Sequence, residues 1–461
     1  MRSSFVGTCL VAVLSVPAWC TGQDGLGRAG VVPPTATPPA PAEAPPAQNM
    51  VATDRFLFVI RGAVLYQFDT KSLKLLHTFT FPDGKAPTAG DLAQQVGAPE
   101  ILEEPPPPPP PPAAPMAAET TAASIAAGLQ WLATHQDEDG RWDADGFMKH
   151  DRPGAPSDGP GNAVHDVGVT GLALLAMLGG GSTMRSGPHK DQVKRAVAWL
   201  RDQQQDNGLI GTNASHDFIY GHAIATYAIC EAYGLSNYNL LRPIAQKGIN
   251  YLESHRNPYA VWRYQPRDND NDTSVTTWAL AANVSGKHFG LEVNESALEM
   301  TGIWYDQVTG PDGRAGYTKQ GEPSSRQPGD HSQRFPVGLG EAMTAAALFG
   351  RFFLGQDPKQ KPVMKAAADR LVERLPEWQA DRIDSVYWYF GTYALFQMGG
   401  DHWHRWNGAL STLVEHQRRD GNCAGSWDPI GVWDRDGGRV FVTALNTLTL
   451  ESSHRFARLV R

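Results

Sequence analysis

The residues best equipped for chemistry lie in one short run, Asp268, Asn269, Asp270, Asn271, Asp272 and Thr273, directly before an apolar helical segment. A carboxyl group at such a junction has two uses: it can hold and deliver a proton, or turn back and cap the first amides of the helix. Asp270 and Asp272 are the candidate acids, and Asp272 is also the candidate N-cap of the helix Thr273–Ala282. Similar junctions recur, with Asp166 before Val167–Leu178, Asp217 before Phe218–Tyr233, Asp330 or His331 before Ala342–Leu354, and Asp384 before Ser385–Met398. His165, His216, His222 and His331 accompany them. Brought together, these side chains could carry out acid–base work or hold a divalent metal, although no metal-specific spacing is present and no cofactor is otherwise implied. Tyr387, Trp388 and Tyr389 add aromatic faces that could meet a ligand or fill a core.

What must position these residues is a repeat. Gly128 to Leu132 leads to Gln136 and then Gly140 and Trp142; Trp199 and Leu200 lead to Gln204 and Gly208; Leu413 leads to Gln417, Gly425 and Trp427. A weaker copy has Arg256 where the others have Gln, followed by Trp262. Each copy predicts an amphipathic helix ending at a turn, then a more apolar helix. Six such hairpins start near residues 121, 190, 242, 293, 361 and 402. A hairpin with one amphipathic and one wholly apolar helix cannot bury both alone, so six should wrap their apolar helices into an inner ring around a central cavity. The expected fold is all-α, a closed six-hairpin α/α toroid over residues 119–461. Its inner helices then run parallel, with their acidic N-termini around one mouth. The polar, Gly- and Pro-rich connection from Thr309 to Arg334 is long enough to lie over that mouth or to form a plain surface loop.

The strings ending in Gln136, Gly140 and Trp142 and in Gln417, Gly425 and Trp427 resemble the QW motif of the prenyltransferase/squalene-oxidase repeat family, which includes squalene–hopene cyclases. The resemblance spans essentially all of 119–461 and implies the same α/α toroid. It assigns Gln136, Trp142, Gln204, Gln417 and Trp427 a structural role. The run before Thr273 is similar to the D-x-D-D-T acid motif of class II terpene cyclases, whose middle Asp protonates an alkene. Aligned on Thr273, that acid falls on Asn271, which has no such proton to give; sliding the register to Asp270 displaces Thr273. The zinc set of protein prenyltransferases is not reproduced by Cys230 or Cys423, and a buried free thiol is the expectation for Cys230.

The N-terminal region reads differently. Residues 1–21 have the charged start, apolar stretch and small residues of a signal peptide, so the protein should be exported to a periplasmic, extracellular or envelope-associated location. Trp19 makes Cys20 a poor lipidation site. Residues 22–50 and the Pro-rich 83–118 predict linkers, and 51–82 a short β-rich segment whose partner the sequence does not name. With 40 basic against 48 acidic side chains, nothing favours nucleic acid, and no transmembrane helix is expected in the mature chain. Three functions follow: a binding or scaffold module for an apolar or extended ligand, with the cyclase acid motif degraded; a squalene/hopene-cyclase-like enzyme using Asp272 or Asp270; or a carbohydrate lyase or hydrolase working at the mouth through Asp166, His216, Asp217 and His222.

Overall fold

A computed structural model describes residues 50–52, 56–61, 64–69, 72, 74–80, 115–327 and 330–455. The signal peptide, both linkers and the Cys20 site lie outside the described residues. The chain divides into two units, a sheet and a helical body.

The sheet is a four-stranded antiparallel meander, β1 (Met50–Ala52), β2 (Phe56–Arg61), β3 (Val64–Asp69) and β4 (Leu75–Thr80), paired in chain order. The last three strands are the β-rich runs of the sequence; the short β1 carries no clear signal of its own. Asp69 shapes the β3–β4 turn, its carboxylate accepting the Ser72 amide at 2.7 Å.

The helical body consists of six hairpins. The outer helices are α1 (Pro115–Thr134), α3 (Lys190–Asp202), α5 (Arg242–His255), α7 (Glu295–Val308), α9 (Pro362–Val372) and α11 (Gly400–Ala409, continued by Ser411–Glu415). The inner helices are α2 (Asp166–Gly179), α4 (Phe218–Ser236), α6 (Thr273–His288), α8 (Ala342–Phe353), α10 (Ser385–Met398) and α12 (Asp434–Arg455). Their composition decides which goes where. α3 buries Val193, Ala196, Val197 and Leu200, one stripe at helical spacing, while α4 is buried on every side through its middle. Each inner helix packs on the next, and α12 packs back on α2, so the ring closes. Glycines allow the tightest of these contacts: a Cβ on Gly168 of α2 would stand 3.1 Å from Gly221 Cα of α4.

The repeat motif does its work between hairpins. The Gln136 amide donates to the Gly140 carbonyl of its own turn and to Gln192 of the next outer helix, at 2.9 and 3.0 Å. Gln204 bridges Gly208 and Ile244 in the same way, and Gln417 bridges Gly425 and Ser124. The last bridge runs from hairpin six to hairpin one and fastens the ring. The indoles of Trp142, Trp262 and Trp427 donate to Leu132, Leu252 and Leu413, carbonyls in the last turns of the outer helices that the helices themselves leave unpaired. The turn glycine is required twice over. Gly140 and Gly425 have φ of 105° and 99°, and a Cβ on either would lie within 2.4 Å of a carbonyl oxygen of the next outer helix. The stretch from Thr309 to Ala315, with Gly313, is a further copy of this turn that the sequence pattern hides because it has neither Gln nor Trp.

The interior differs from the expected cavity. Residues 168–178, 222–230, 275–283, 342–350, 387–395 and 442–452 of the inner helices are all buried. Trp278 of α6 and Tyr389 of α10, on non-adjacent helices, stack across the ring with centroids 5.7 Å apart, and Phe390 and Phe349 pack onto them. Aromatic bulk fills the axis. The ring is sealed, and open surface on the inner helices is confined to their ends. Among the described residues no helix is long and apolar enough to cross a membrane.

Candidate functional site

The N-terminal ends of the inner helices form the mouth, and Val167, Tyr220, Ser274, Val386 and Phe441, on or near their first turns, are half-buried there. The segment 316–341 crosses this end of the ring. Tyr317 accepts the Thr273 amide on its backbone carbonyl at 2.9 Å, Gln327 donates to Asp436 at 3.2 Å, and Arg334 donates to the Ile430 carbonyl at 2.9 Å. Asp330 and His331 therefore belong to this strap, in a short helix Asp330–Arg334, and not to the start of α8; the residue before α8 is Glu341.

Asp272 is at the centre of one side of the mouth. It is the N-cap of α6, with Oδ1 accepting the Val275 amide and the Ser274 hydroxyl, each at 2.8 Å. The Ser274 hydroxyl in turn meets the Tyr220 hydroxyl of α4 at 2.5 Å. Asp272 is fully buried, and its Oδ2 has no hydrogen-bond partner although the Arg263 Nε, also unpartnered, lies 3.7 Å away. Burial pushes its pKa up to about 6, against the pull of the Val275 amide, Ser274 and Arg263. The Arg263 guanidinium lies over the rings of Tyr264 and Tyr317, whose hydroxyls meet at 2.5 Å. Burial raises Tyr220 and Tyr264, and the Asp272 charge adds to both. The exposed His216 ring packs on Tyr264 at 4.5 Å. Neither Tyr264 nor Tyr317 stood out in the sequence, because each lies in an irregular connection that only the fold brings to Asp272.

The other motif positions point elsewhere. Asp270 is exposed and ion-paired with Arg263 at 2.5 Å. Asn271 turns into the loop, where its Oδ1 accepts from the Val261 amide and the Asn257 side chain. The position that resembles the cyclase acid is thus a loop brace.

A second group faces the mouth from α12. Asp436 is half-buried; burial raises its pKa and Asp217 raises it further, while His165 and His331 act the other way, so these four side chains share one neighbourhood. Asp217, the N-cap of α4, makes no cap hydrogen bond. Deeper, Asp384 caps α10 through the Tyr387 amide at 2.9 Å, and the buried Asp434 is pushed up to about 7, first by burial and then by Asp384.

Several expected site residues are structural. The Asp166 carboxylate turns outward to the Ala144 amide and Arg141, at 2.9 and 3.2 Å. It belongs to a carboxylate group with Asp143 and Asp145 whose spacing could suit a metal, but Arg141 and Lys149 already sit on those carboxylates. His222 accepts the Ile210 amide on Nδ1 at 3.0 Å and faces the Gly248 carbonyl with Nε2 at 3.2 Å; burial drops its pKa to about 3. It occupies the register where Thr170, Thr276, Thr344 and Thr443 accept the corresponding amides of Trp142, Trp262, Ala315 and Trp427. Tyr387 donates to outer-wall carbonyls of Leu371 and Arg374, Trp388 packs near Trp378, and Tyr389 plugs the axis. Tyr387 and Trp388 also border an off-axis hollow of about 590 Å³ that reaches Asp384 and Arg326. Asp166 and Asp217 do not cap; among the recurring aspartates only Asp272 and Asp384 do. Cys230 and Cys423 are buried free thiols.

No protein-family model and no curated protein matches the sequence. Solved structures do match. A heparin-specific unsaturated glucuronyl hydrolase aligns over 74% of this chain and 100% of its own, at 12% identity and a TM-score of 0.50. The type II terpene cyclase MstE from Scytonema covers 72% of this chain and 97% of its own, at 16% identity and a TM-score of 0.47. An inactive variant of an α-1,6-mannanase from Salegentibacter covers 72% and 98%, at 10% identity and a TM-score of 0.48. At such identities the likeness is one of fold: the chain is an α/α toroid. The repeat family suggested by the QW strings is not confirmed by any family model.

Proposed function

We propose that the protein is an exported binding toroid whose site is the polar, aromatic mouth and whose ligand is an extended, hydroxyl-rich chain such as a glycan. One observation carries this reading: the ring is sealed through its middle, while its mouth collects half-buried tyrosines, carboxylates and an arginine. Tyrosine rings offer flat apolar faces to the C–H faces of sugars, and Asp272, Asp217 and Asp436 offer acceptors to hydroxyl groups. An apolar polyprene would need a deep cavity, and the axis is filled by Trp278 and Tyr389. Protonating an alkene needs a strong acid, whereas burial makes Asp272 a weaker one. The binding reading is therefore kept, with its ligand moved from apolar to polar.

The test is calorimetric titration with neutral and uronate-containing oligosaccharides, alongside a solubilised polyprene. Saturable oligosaccharide binding that Tyr264→Ala weakens by about tenfold or more supports the reading. Polyprene binding without oligosaccharide binding would remove it.

A further inference from the structure

We propose that the mouth is catalytic as well as binding: Tyr220 delivers a proton to a bound glycosidic oxygen, with Ser274 and Asp272 relaying that proton from behind it. This rests on the glycan reading of the mouth and adds a reaction to it.

The argument begins with connectivity. Tyr220 comes from α4, and Ser274 and Asp272 come from the start of α6, yet their polar atoms form one chain: Tyr220 Oη to Ser274 Oγ at 2.5 Å, and Ser274 Oγ to Asp272 Oδ1 at 2.8 Å. The chain runs from a half-buried phenol at the mouth to a fully buried carboxyl. Capping explains only part of the carboxyl. Oδ1 receives the Val275 amide, while Oδ2 is buried with no partner, a costly arrangement for a residue whose sole task is to close a helix end. The groups facing Asp272 are Arg263, Tyr220, Tyr264 and Tyr317, with Asp270 beyond Arg263. Arg263 is the one cation among them, and its nearest approach is 3.7 Å, so the carboxyl is not locked into a tight ion pair. A pKa near 6 then lets Asp272 both hold and release a proton in mildly acidic to neutral water.

The step balances as follows. The proton on Tyr220 Oη moves to the glycosidic oxygen as the bond from that oxygen to the anomeric carbon breaks. Tyr220 takes the Ser274 proton, and Ser274 takes the proton of the Asp272 carboxyl. A water molecule forms the new bond to the anomeric carbon and gives its proton to the neighbouring Asp217–Asp436 carboxylates, which also face this mouth. Proton exchange with solvent restores Asp272. No metal or redox partner enters, and the products are two shorter saccharides.

The experiment uses the full chain and the oligosaccharide panel of the binding test, with reducing-end products counted over time. Wild type is expected to shorten at least one bound oligosaccharide, with the rate falling as pH rises through about 6. Tyr220→Phe and Ser274→Ala are expected to bind it within about threefold of wild type and to cleave it about 10²–10⁴-fold more slowly, the range for losing a general acid. Asp272→Asn, which keeps the helix cap, is expected to behave like Ser274→Ala. An oligosaccharide bound but not cut by wild type overturns the relay and leaves the binding reading standing, as does cleavage at wild-type rate by Tyr220→Phe. No binding to any oligosaccharide overturns both.

Discussion

The wall of the ring and its mouth are built from the same repeat, and they treat polar groups in opposite ways. In the wall, the amides of Gln136, Gln204 and Gln417 each reach two carbonyls, and the indoles of Trp142, Trp262 and Trp427 each reach one. At the mouth, Asp272 Oδ2, Arg263 Nε, Asp384 Oδ2, Arg326 Nε and Asp434 Oδ1 are buried without a partner. Satisfied polar groups hold a structure together; unsatisfied ones cost stability and are retained where another purpose requires them. The contrast separates the residues that make the toroid from those that can act in it.

The largest effect that would break the contrast is expected at the closing turn. Gly425→Ala puts a Cβ on a residue at φ 99° and 2.4 Å from the Ala127 carbonyl oxygen, so denaturant melts should show a loss of about 3 kcal/mol or more. Next comes Trp427→Phe, which keeps an aromatic ring but orphans the Leu413 carbonyl; a loss of about 1–3 kcal/mol is expected, with oligosaccharide binding unchanged. If binding fell as far as stability, wall and mouth would not be separable.

His222→Thr probes a residue that looks like the mouth and works in the wall. Its pKa is held down to about 3 from an ordinary 6.5, so the unfolded chain binds more protons than the folded one between those values, and stability is lost as pH falls through that window. Threonine fills this register in other hairpins, so the variant should fold and lose less stability than wild type between pH 6.5 and 4, measured by thermal melts across pH.

Asp272→Asn gives the smallest effect, of the opposite sign. A carboxyl raised to about 6 binds its proton more tightly in the folded state, so wild type loses stability as pH rises from about 4 through 6. The variant should gain on wild type over that range by about 1–3 kcal/mol and match it near pH 4. A constant difference at every pH would mean that Asp272 does not titrate there.

The sequence reading reached the ring because apolar periodicity and the turn glycines are local signals. Hairpin starts near 190, 242, 361 and 402 meet helices beginning at 190, 242, 362 and 400. The mouth was legible only in part. Asp272 announces itself by standing before an apolar helix. Tyr264 and Tyr317 come to it from irregular connections 53 residues apart, which no periodicity marks. His222 was misplaced because nothing in a linear reading distinguishes a histidine that accepts the Ile210 amide from one that faces a ligand. The filled axis was missed for a related reason: Trp278 and Tyr389 meet across the ring, a contact that depends on closure itself.

Hydrogen exchange with and without an oligosaccharide from the panel tests the sealed ring and polar mouth most directly. The expected result is added protection at 217–221, 262–275 and 315–318, with the helix middles 278–283 and 389–394 already slow and unchanged. Protection of those middles by a polyprene, with no oligosaccharide effect at the mouth, would contradict it.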